Sequence, residues 1–266
     1  MKKRIITVFF SSLLFILMTS KTTFANGSFD VDYAVFYGNS DRNILEIYYS
    51  IPRTIFPWIQ EKDGSFHGEI MAISTMFKMG EPIYRDTTFL QDYLPDNSLE
   101  HLKIKLSHQM TLQVESGDYA VSTQLYDVNM KLITNRALDI IVRKFDSAKL
   151  ELSDIEIVNA INKSDGNPSP FLKYQKYLVY PDAARMFSSK NNSLGILTEI
   201  YNLSLDADEK NHYMEKAAIL DLNHKNILEY DSTELHSKGS MAIFIKNYDL
   251  SSLSSGIYFF KLNIKD

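Results

Sequence analysis

A six-residue phrase occurs twice in this sequence, and it limits the possible folds more than any other feature does. Residues 114–119 and 253–258 both read as an apolar residue, two spacers, Gly, any residue and Tyr. Each phrase runs into a segment of alternating apolar residues, as expected for a strand with one buried face. In immunoglobulin-like sandwiches, a Tyr entering strand F bonds back to upstream backbone, which is called a tyrosine corner. The sequence therefore predicts two such structural corners, formed by Gly117 with Tyr119 and by Gly256 with Tyr258.

Alternating patterns also cover the rest of the chain, with examples at residues 45–51, 110–114 and 132–142. Phe, Trp and Tyr, which suit pleated and half-buried surfaces, make up 12% of the sequence. No sustained helical period interrupts these short segments. We therefore predict an all-β protein of two tandem immunoglobulin-like (fibronectin type III-like) β-sandwiches. The chain contains no Cys, so each sandwich needs an apolar core of its own.

The first 25 residues have the features of a secretory signal peptide. Basic residues 2–4 precede a nearly unbroken apolar run at residues 5–18, and residues 23–25 place small side chains where a signal peptidase reads them. We predict cleavage before Asn26. The apolar run is shorter than the roughly 20 residues that span a bilayer, so no transmembrane segment is expected after cleavage. The absence of Cys excludes a lipoprotein anchor.

The mature chain then divides into a first sandwich at residues 26–148 and a second at 149–266, where a strand pattern restarts near residue 150. The two halves end differently, because only eight residues follow Tyr258. We expect the second sandwich to lack its last strand and to expose an edge of strand F. That edge could accept a strand from an envelope protein or from a second copy. Alternatively, a segment such as residues 152–158 closes it.

Charge narrows the range of partners. Residues 1–25 contain four of the 28 basic residues and none of the 33 acidic ones, so the mature net charge is about −9. An acidic chain without basic runs is unsuited to the phosphate backbone of nucleic acids and to anionic membrane surfaces. We predict neither as a partner.

Several stretches resemble the exported bacterial proteins named for a GWxTD domain. They are residues 45–52 (LEIYYSIP), 152–157 (LSDIEI) and above all 198–203 (TEIYNL), together with the spacing of both Gly-x-Tyr phrases. The resemblance covers the mature chain but only as the family's N-terminal β-sandwich region. The naming tetrad is absent, since x-Thr-Asp does not follow the single Trp58. The resemblance implies location in the envelope of diderm bacteria and carries no catalytic residues.

No motif for catalysis, cofactor binding or metal binding is present in the sequence. The six His residues lack metal-ligand spacing, and there is no nucleophile signature or phosphate-binding Gly loop. Acidic residues 206–209 and 30–32 could supply calcium ligands but lack the spacing of a calcium loop. We interpret them as solvated loops. The sequence thus predicts a protein that is not an enzyme and that has no catalytic, cofactor-binding or metal-binding residues.

One charged residue and one aromatic cluster are singled out as candidates. Glu199 shares a strand face with apolar neighbours, so we predict a buried carboxylate that needs a Lys, Arg or Tyr partner. Trp58 and Phe56 lie in an aromatic cluster between two strands, which either seals the core or binds a sugar or protein. The core interpretation is favoured. Tyr258 and Phe260 complete the candidate binding residues because they lie on the predicted open edge.

Taken together, the patterns favour an exported, non-enzymatic binding or scaffolding protein that recognises a protein partner through a sandwich edge or loops. Its expected location is the periplasm or outer envelope of a diderm bacterium, or the medium after secretion. Three alternatives stay open. The first is a carbohydrate-binding β-sandwich protein, and the second is a sorting or secretion-associated module, indicated by the sequence of residues 256–262. The third is an enzyme whose site is not visible in one sequence.

Overall fold

A computed structural model describes residues 5–9, 28–39 and 41–266. Strands make up 59% of the chain and helices 3%, so the all-β prediction is confirmed. The helical elements among the described residues are a 3₁₀ helix at Arg53–Ile55 and one turn of α-helix, α1, at Leu99–Leu102. No helix in this part of the chain is long and apolar enough to cross a membrane. The predicted cleavage site before Asn26 lies outside the described residues.

The described chain forms two compact units. The N-terminal unit contains residues 28–143 and Asn159–Met186, and the C-terminal unit contains residues 5–9, Lys144–Val158 and Phe187–Asp266. The predicted second domain at 149–266 therefore differs from the structure in its residues 159–186. Ion pairs explain the difference, because this segment contributes two cations that bind acidic groups of the N-terminal unit.

Eight strands form the two sheets of the N-terminal unit: β2 (Asp30–Phe36), β3 (Asn43–Pro52), β4 (Ile59–Gln60), β5 (Phe66–Lys78), β6 (Glu81–Leu94), β7 (Lys105–Val114), β8 (Gly117–Tyr126) and β9 (Leu132–Val142). One sheet has the order β2-β3-β7. The other has β5 paired with β4, β6 and β8, while β9 follows β8. Side chains of both sheets meet in the interior, where Ser74 Oγ lies 3.1 Å from Tyr49 Oη and 2.9 Å from Thr123 Oγ1.

The segment at residues 159–186 adds β12 (Leu172–Lys173) and β13 (Tyr177–Pro181) to the N-terminal unit. Lys173 is buried and places Nζ 2.5 Å from Glu46 Oε2. Arg185 binds Asp32 with two nitrogens of its guanidinium. These two contacts attach the segment to β3 and β2.

The C-terminal unit contains β10 (Glu151–Leu152), β14 (Ser193–Tyr201), β15 (Lys210–Leu220), β16 (Asn226–Glu229), β17 (Thr233–Lys238), β18 (Ala242–Asp249), β19 (Phe259–Lys265) and β1 (Ile5–Phe9), and β11 (Glu156–Lys163) begins in it. In one sheet, β14 pairs with β10, β11 and β18. In the other, the order is β1-β19-β15, with β16 and β17 both on β15. The core lies between these sheets and includes Ile196, Ala217, Leu262 and Ile264, all 0% exposed.

Gly195 permits the close pairing of β14 with β11. A Cβ at this position would lie 2.7 Å from the carbonyl oxygen of Val158 and 2.9 Å from Asn247 Oδ1. No side chain can occupy that space without moving backbone. Gly195 therefore lies at a position where β14 pairs with β11 on one side and with β18 on the other.

Candidate interaction edge and the predicted site residues

Both Gly-x-Tyr phrases form the same local structure. The hydroxyl of Tyr119 donates to the carbonyl oxygen of Glu115 at 2.9 Å, and that of Tyr258 donates to the carbonyl oxygen of Ser254 at 2.9 Å. Each bond reaches four residues upstream, as a tyrosine corner requires. Each Tyr leads into a strand, β8 and β19 respectively.

Gly is needed in the second corner because the Tyr ring folds back over it. A Cβ on Gly256 would lie 3.0 Å from the Tyr258 hydroxyl and 3.1 Å from two ring carbons. In the first corner the space is larger, with 3.8 Å to the Tyr119 ring, but Gly117 has φ +150°. Both turns therefore need Gly, the second because the Tyr ring lies close to it and the first because of its backbone conformation.

The two corners differ in the strand that follows. In the N-terminal unit, β8 lies between β5 and β9. In the C-terminal unit, β19 lies between β15 and β1, so the place that β9 takes in the first sheet is taken by Ile5–Phe9. These five residues belong to the predicted signal peptide. The edge of β19 is therefore paired in this chain, and its partner is the segment expected to be cleaved.

The pairing of β1 with β19 is antiparallel. It places Ile6 opposite Ile264 and Val8 opposite Leu262, the two buried residues of β19. The alternative in which residues 152–158 close this edge is wrong, because Glu156 pairs instead with Leu197 of β14.

The aromatic cluster near residue 58 seals the end of the N-terminal core. Phe56 is buried, and its ring stacks on that of Trp58 with centroids 5.4 Å apart. Trp58 is half-buried and donates its indole N–H to the carbonyl oxygen of Arg53 at 2.8 Å. Both rings pack so closely on Gly68 that a Cβ there would lie 2.9 Å from Trp58. These contacts engage both rings with the end of the core, which is the interpretation that the sequence favoured.

The other two candidate binding residues are also packed. Tyr258 and Phe260 are half-buried against the core of the C-terminal unit. The ring of Phe260 lies 5.0 Å from that of Tyr248. They contribute to the sheet that carries the β19 edge rather than to a separate aromatic surface.

Glu199 is buried, and its Oε2 accepts a 2.5 Å hydrogen bond from the hydroxyl of Tyr201. The same arrangement occurs in the N-terminal unit, where Tyr48 donates to Glu46 Oε2 at 2.7 Å. Both pairs belong to Glu-Ile-Tyr sequences, on β14 and β3. A carboxylate and a Tyr two residues apart on one strand face satisfy each other, which fits a structural role for both acids.

Three of the acidic residues weighed as calcium ligands have partners within the protein. Asp30 binds Lys105 at 2.8 Å, and Asp32 binds Arg185. Burial raises the pKa of the Asp32 carboxyl, while Arg185 opposes that rise. Asp206 accepts backbone N–H bonds from residues 208 and 210, which lowers the pKa of its carboxyl. Asp30 and Asp32 therefore pair with cations, and Asp206 forms a turn.

Sequence reasoning missed one group of potential metal ligands. His212, Glu234 and His236 offer three ligand atoms that all lie within 4.8 Å of one another, at the surface of the C-terminal unit. The group joins residues of β15 and β17, so no spacing along the chain reveals it. The strand register, which places His212 opposite His236, brings the ligands together.

Comparisons with known proteins leave the chain without an assigned family. No family model matches it, and no curated protein matches it. The resemblance to GWxTD domain-containing proteins stays a prediction.

Proposed function

We propose that this chain is an exported, non-enzymatic binding or scaffolding protein of the bacterial cell envelope that takes up a strand of a protein partner along β19. One observation carries the proposal: the outer side of β19 pairs with Ile5–Phe9, which lies inside the predicted signal peptide. Cleavage before Asn26 removes that partner. The backbone N–H and C=O groups that β1 satisfies then become available to another strand.

The register of β1 on β19 indicates which sequence a partner strand needs. The positions opposite Leu262 and Ile264 are apolar in β1, and both of these β19 residues are fully buried. A partner strand needs apolar residues at two alternate positions to extend the same core. Main-chain hydrogen bonds supply affinity in this mode of binding, and the alternate side chains supply specificity.

A peptide complementation experiment tests the edge directly. The probe is a synthetic peptide of residues 3–10, added to the purified protein that starts at Asn26. We expect the peptide to raise the melting temperature, because a ligand that binds the folded state stabilises it by mass action. The matched control peptide carries Asp in place of Ile6 and Val8 and should have no effect. If neither peptide binds, β19 does not accept strands.

Crosslinking in cells identifies the partner. A photoreactive residue replaces Asn263, which lies between the two buried residues of β19, and in a separate control it replaces Asn129, an exposed turn residue. We expect a crosslinked envelope protein at position 263 only. A product of twice the chain's mass indicates that the partner is a second copy. The absence of any product specific to position 263 contradicts the proposal.

The carbohydrate-binding alternative is not favoured at Trp58 and Phe56, because both rings are engaged in the core. Fluorescence of the single Trp58 in a titration with glycans checks this directly. We expect no change in its emission.

A further inference from the structure

We propose that His212, His236 and Glu234 form a binding site for a divalent first-row transition-metal ion such as Zn²⁺. The three residues lie on one exposed face of the ladder between β15 and β17. His212 and His236 are directly paired across the strands, and Glu234 precedes His236 by two positions, which is the spacing of one strand face. Two imidazoles with one carboxylate are a ligand set used by catalytic zinc sites.

The distances fit an ion with small adjustments. The two Nδ1 atoms lie 2.9 Å apart. A tetrahedral zinc ion with Zn–N bonds of 2.0–2.1 Å holds two nitrogens about 3.3 Å apart. The imidazoles therefore have to separate by a few tenths of an ångström, which exposed side chains can do. The ion would take the place of the direct contact between the two facing nitrogens.

A carboxylate next to His212 supports the proposed metal site independently. Asp206 Oδ2 lies 3.3 Å from Nε2 of His212, the ring nitrogen that does not face His236. A metal-bound His commonly donates its other N–H to a carboxylate, which fixes the ring's orientation and increases its basicity. Asp206 is itself held by two backbone N–H bonds. The turn before β15 thus orients His212 toward its partner.

Neighbouring charges and ligand types define the class of ion. On the same face of the ladder, Lys210 and Lys238 form the next pair on one side of the two histidines, and Met214 lies opposite Glu234 on the other side. The lysines weaken the attraction for any cation, although exposed charges are screened by salt. Hard ions such as Ca²⁺ and Mg²⁺ prefer oxygen ligands, whereas imidazole suits Zn²⁺, Ni²⁺ and Cu²⁺. The site therefore selects the second group, with Cu²⁺ bound more tightly than Zn²⁺.

The ion would hold an edge strand in place. Within the C-terminal unit β17 pairs with β15 alone among the described strands, so its other side has no neighbouring strand there. A bond from His236 and Glu234 through the ion to His212 links β17 to the centre of the sheet. Three protein ligands also leave a coordination position for water or for a group of another molecule.

Calorimetric titration with Zn²⁺ tests the proposal on the mature protein, produced without a polyhistidine tag. We expect one equivalent of Zn²⁺ to bind and neither Ca²⁺ nor Mg²⁺ to do so. Substitution H236Q removes a ligand and should weaken Zn²⁺ affinity by more than about 100-fold. Substitution D206N removes only the carboxylate beside His212 and should weaken the affinity by about 10-fold, as is usual for residues that hydrogen-bond a metal ligand. The matched control is H224N, in an exposed turn of the same unit whose φ of 58° suits Asn.

A second measurement separates the site from loose binding at surface histidines. Amide exchange of β17 should slow when Zn²⁺ is added to the wild type and to H224N, and should not change in H236Q. Absence of Zn²⁺ binding to the wild type overturns the proposal. Equal affinity of the wild type and H236Q overturns it as well, since the ion then binds elsewhere. These outcomes do not depend on whether β19 accepts a strand.

Discussion

Tyrosine hydroxyls and the glycines beside them set the turns that lead into β8 and β19. The sequence alone predicted both corners because Gly, Tyr and an upstream carbonyl act within a few residues of one another. Contacts between residues so close along the chain can be recognised as a short sequence pattern. Glu199 was predictable for the same reason, as its Tyr partner lies two residues away.

The second corner gives a prediction about stability. Substitution Y258F removes the hydrogen bond to Ser254 and should lower the free energy of unfolding by about 1 kcal/mol. G256A should cost more, because its Cβ would lie 3.0 Å from the hydroxyl and displace the ring. Urea unfolding of purified variants measures both effects. Y84F, at an exposed Tyr, is the control and should leave stability unchanged.

His108 gives a prediction about pH. It is half-buried, stacked on Tyr49 with centroids 5.6 Å apart, and burial lowers the pKa of its imidazole from 6.5. Between the folded and unfolded pKa values the unfolded chain binds more protons, so stability decreases as pH falls below about 6.5. Asp86 partly opposes the shift. Urea midpoints of wild type and H108Q between pH 5 and 8 should diverge at the acidic end, and parallel curves would contradict this assignment.

At the scale of elements, the longest strand was not predicted from the sequence. Strand β6 pairs with β5 over its whole length, but its first seven residues are nearly all exposed and do not alternate in hydrophobicity. A burial pattern cannot indicate a strand that buries little. The structure shows that β5 and β6 form a hairpin, whose turn residues Met79 and Gly80 both have positive φ, as in type I′ turns.

That turn predicts a stabilising substitution. Met79 is 95% exposed and has φ 53°, a conformation that Asn tolerates far better than Met. M79N creates the Asn-Gly pair favoured in such hairpins and should raise the free energy of unfolding by about 1 kcal/mol. Thermal unfolding measures the gain. M130N, at another exposed positive-φ Met, serves as a comparison and should act in the same direction.

The segment at 159–186 depends on a buried ion pair. K173M would leave the Glu46 carboxylate without its cation and should cost about 3–5 kcal/mol. K176M, at an exposed Lys of the same segment, is the control and should cost little. Chemical denaturation gives the energies, and limited proteolysis should cut residues 159–186 faster in K173M alone. Equal behaviour of the two variants would show that the pair does not hold the segment.

At the scale of the whole molecule, the order of domains along the chain could be predicted but the path of the chain between them could not. The repeated phrase predicted two sandwiches, and each of the two compact units contains one copy of the phrase. Residues 159–186 follow the N-terminal unit because Lys173 and Arg185 meet acids more than 100 positions away. The His212 and His236 pair escaped detection for a related reason, as it depends on strand register.

Removal of the proposed signal peptide should change the dynamics of one strand. In the precursor, amides of β19 that bond to β1 are protected, whereas in the protein starting at Asn26 they lose that partner. We expect faster hydrogen exchange in part of β19 after cleavage and unchanged exchange in β8. Mass spectrometry of both forms measures this. Equal exchange of β19 in the two forms would mean that β1 contributes no protection.

If residues 1–25 direct export, as we propose, the pairing of β1 with β19 also limits the time in which export machinery can recognise them. The same five residues cannot lie in the sheet and in the binding site of the export machinery at once. Roughly 250 residues separate the two strands, and at 5–20 residues per second about 10–50 s of synthesis pass between them. During that interval the leader has no β19 to pair with. Under this proposal, recognition that begins on the nascent chain meets residues 5–9 while they are still unpaired. In a precursor that folds before export, the same residues are paired with β19.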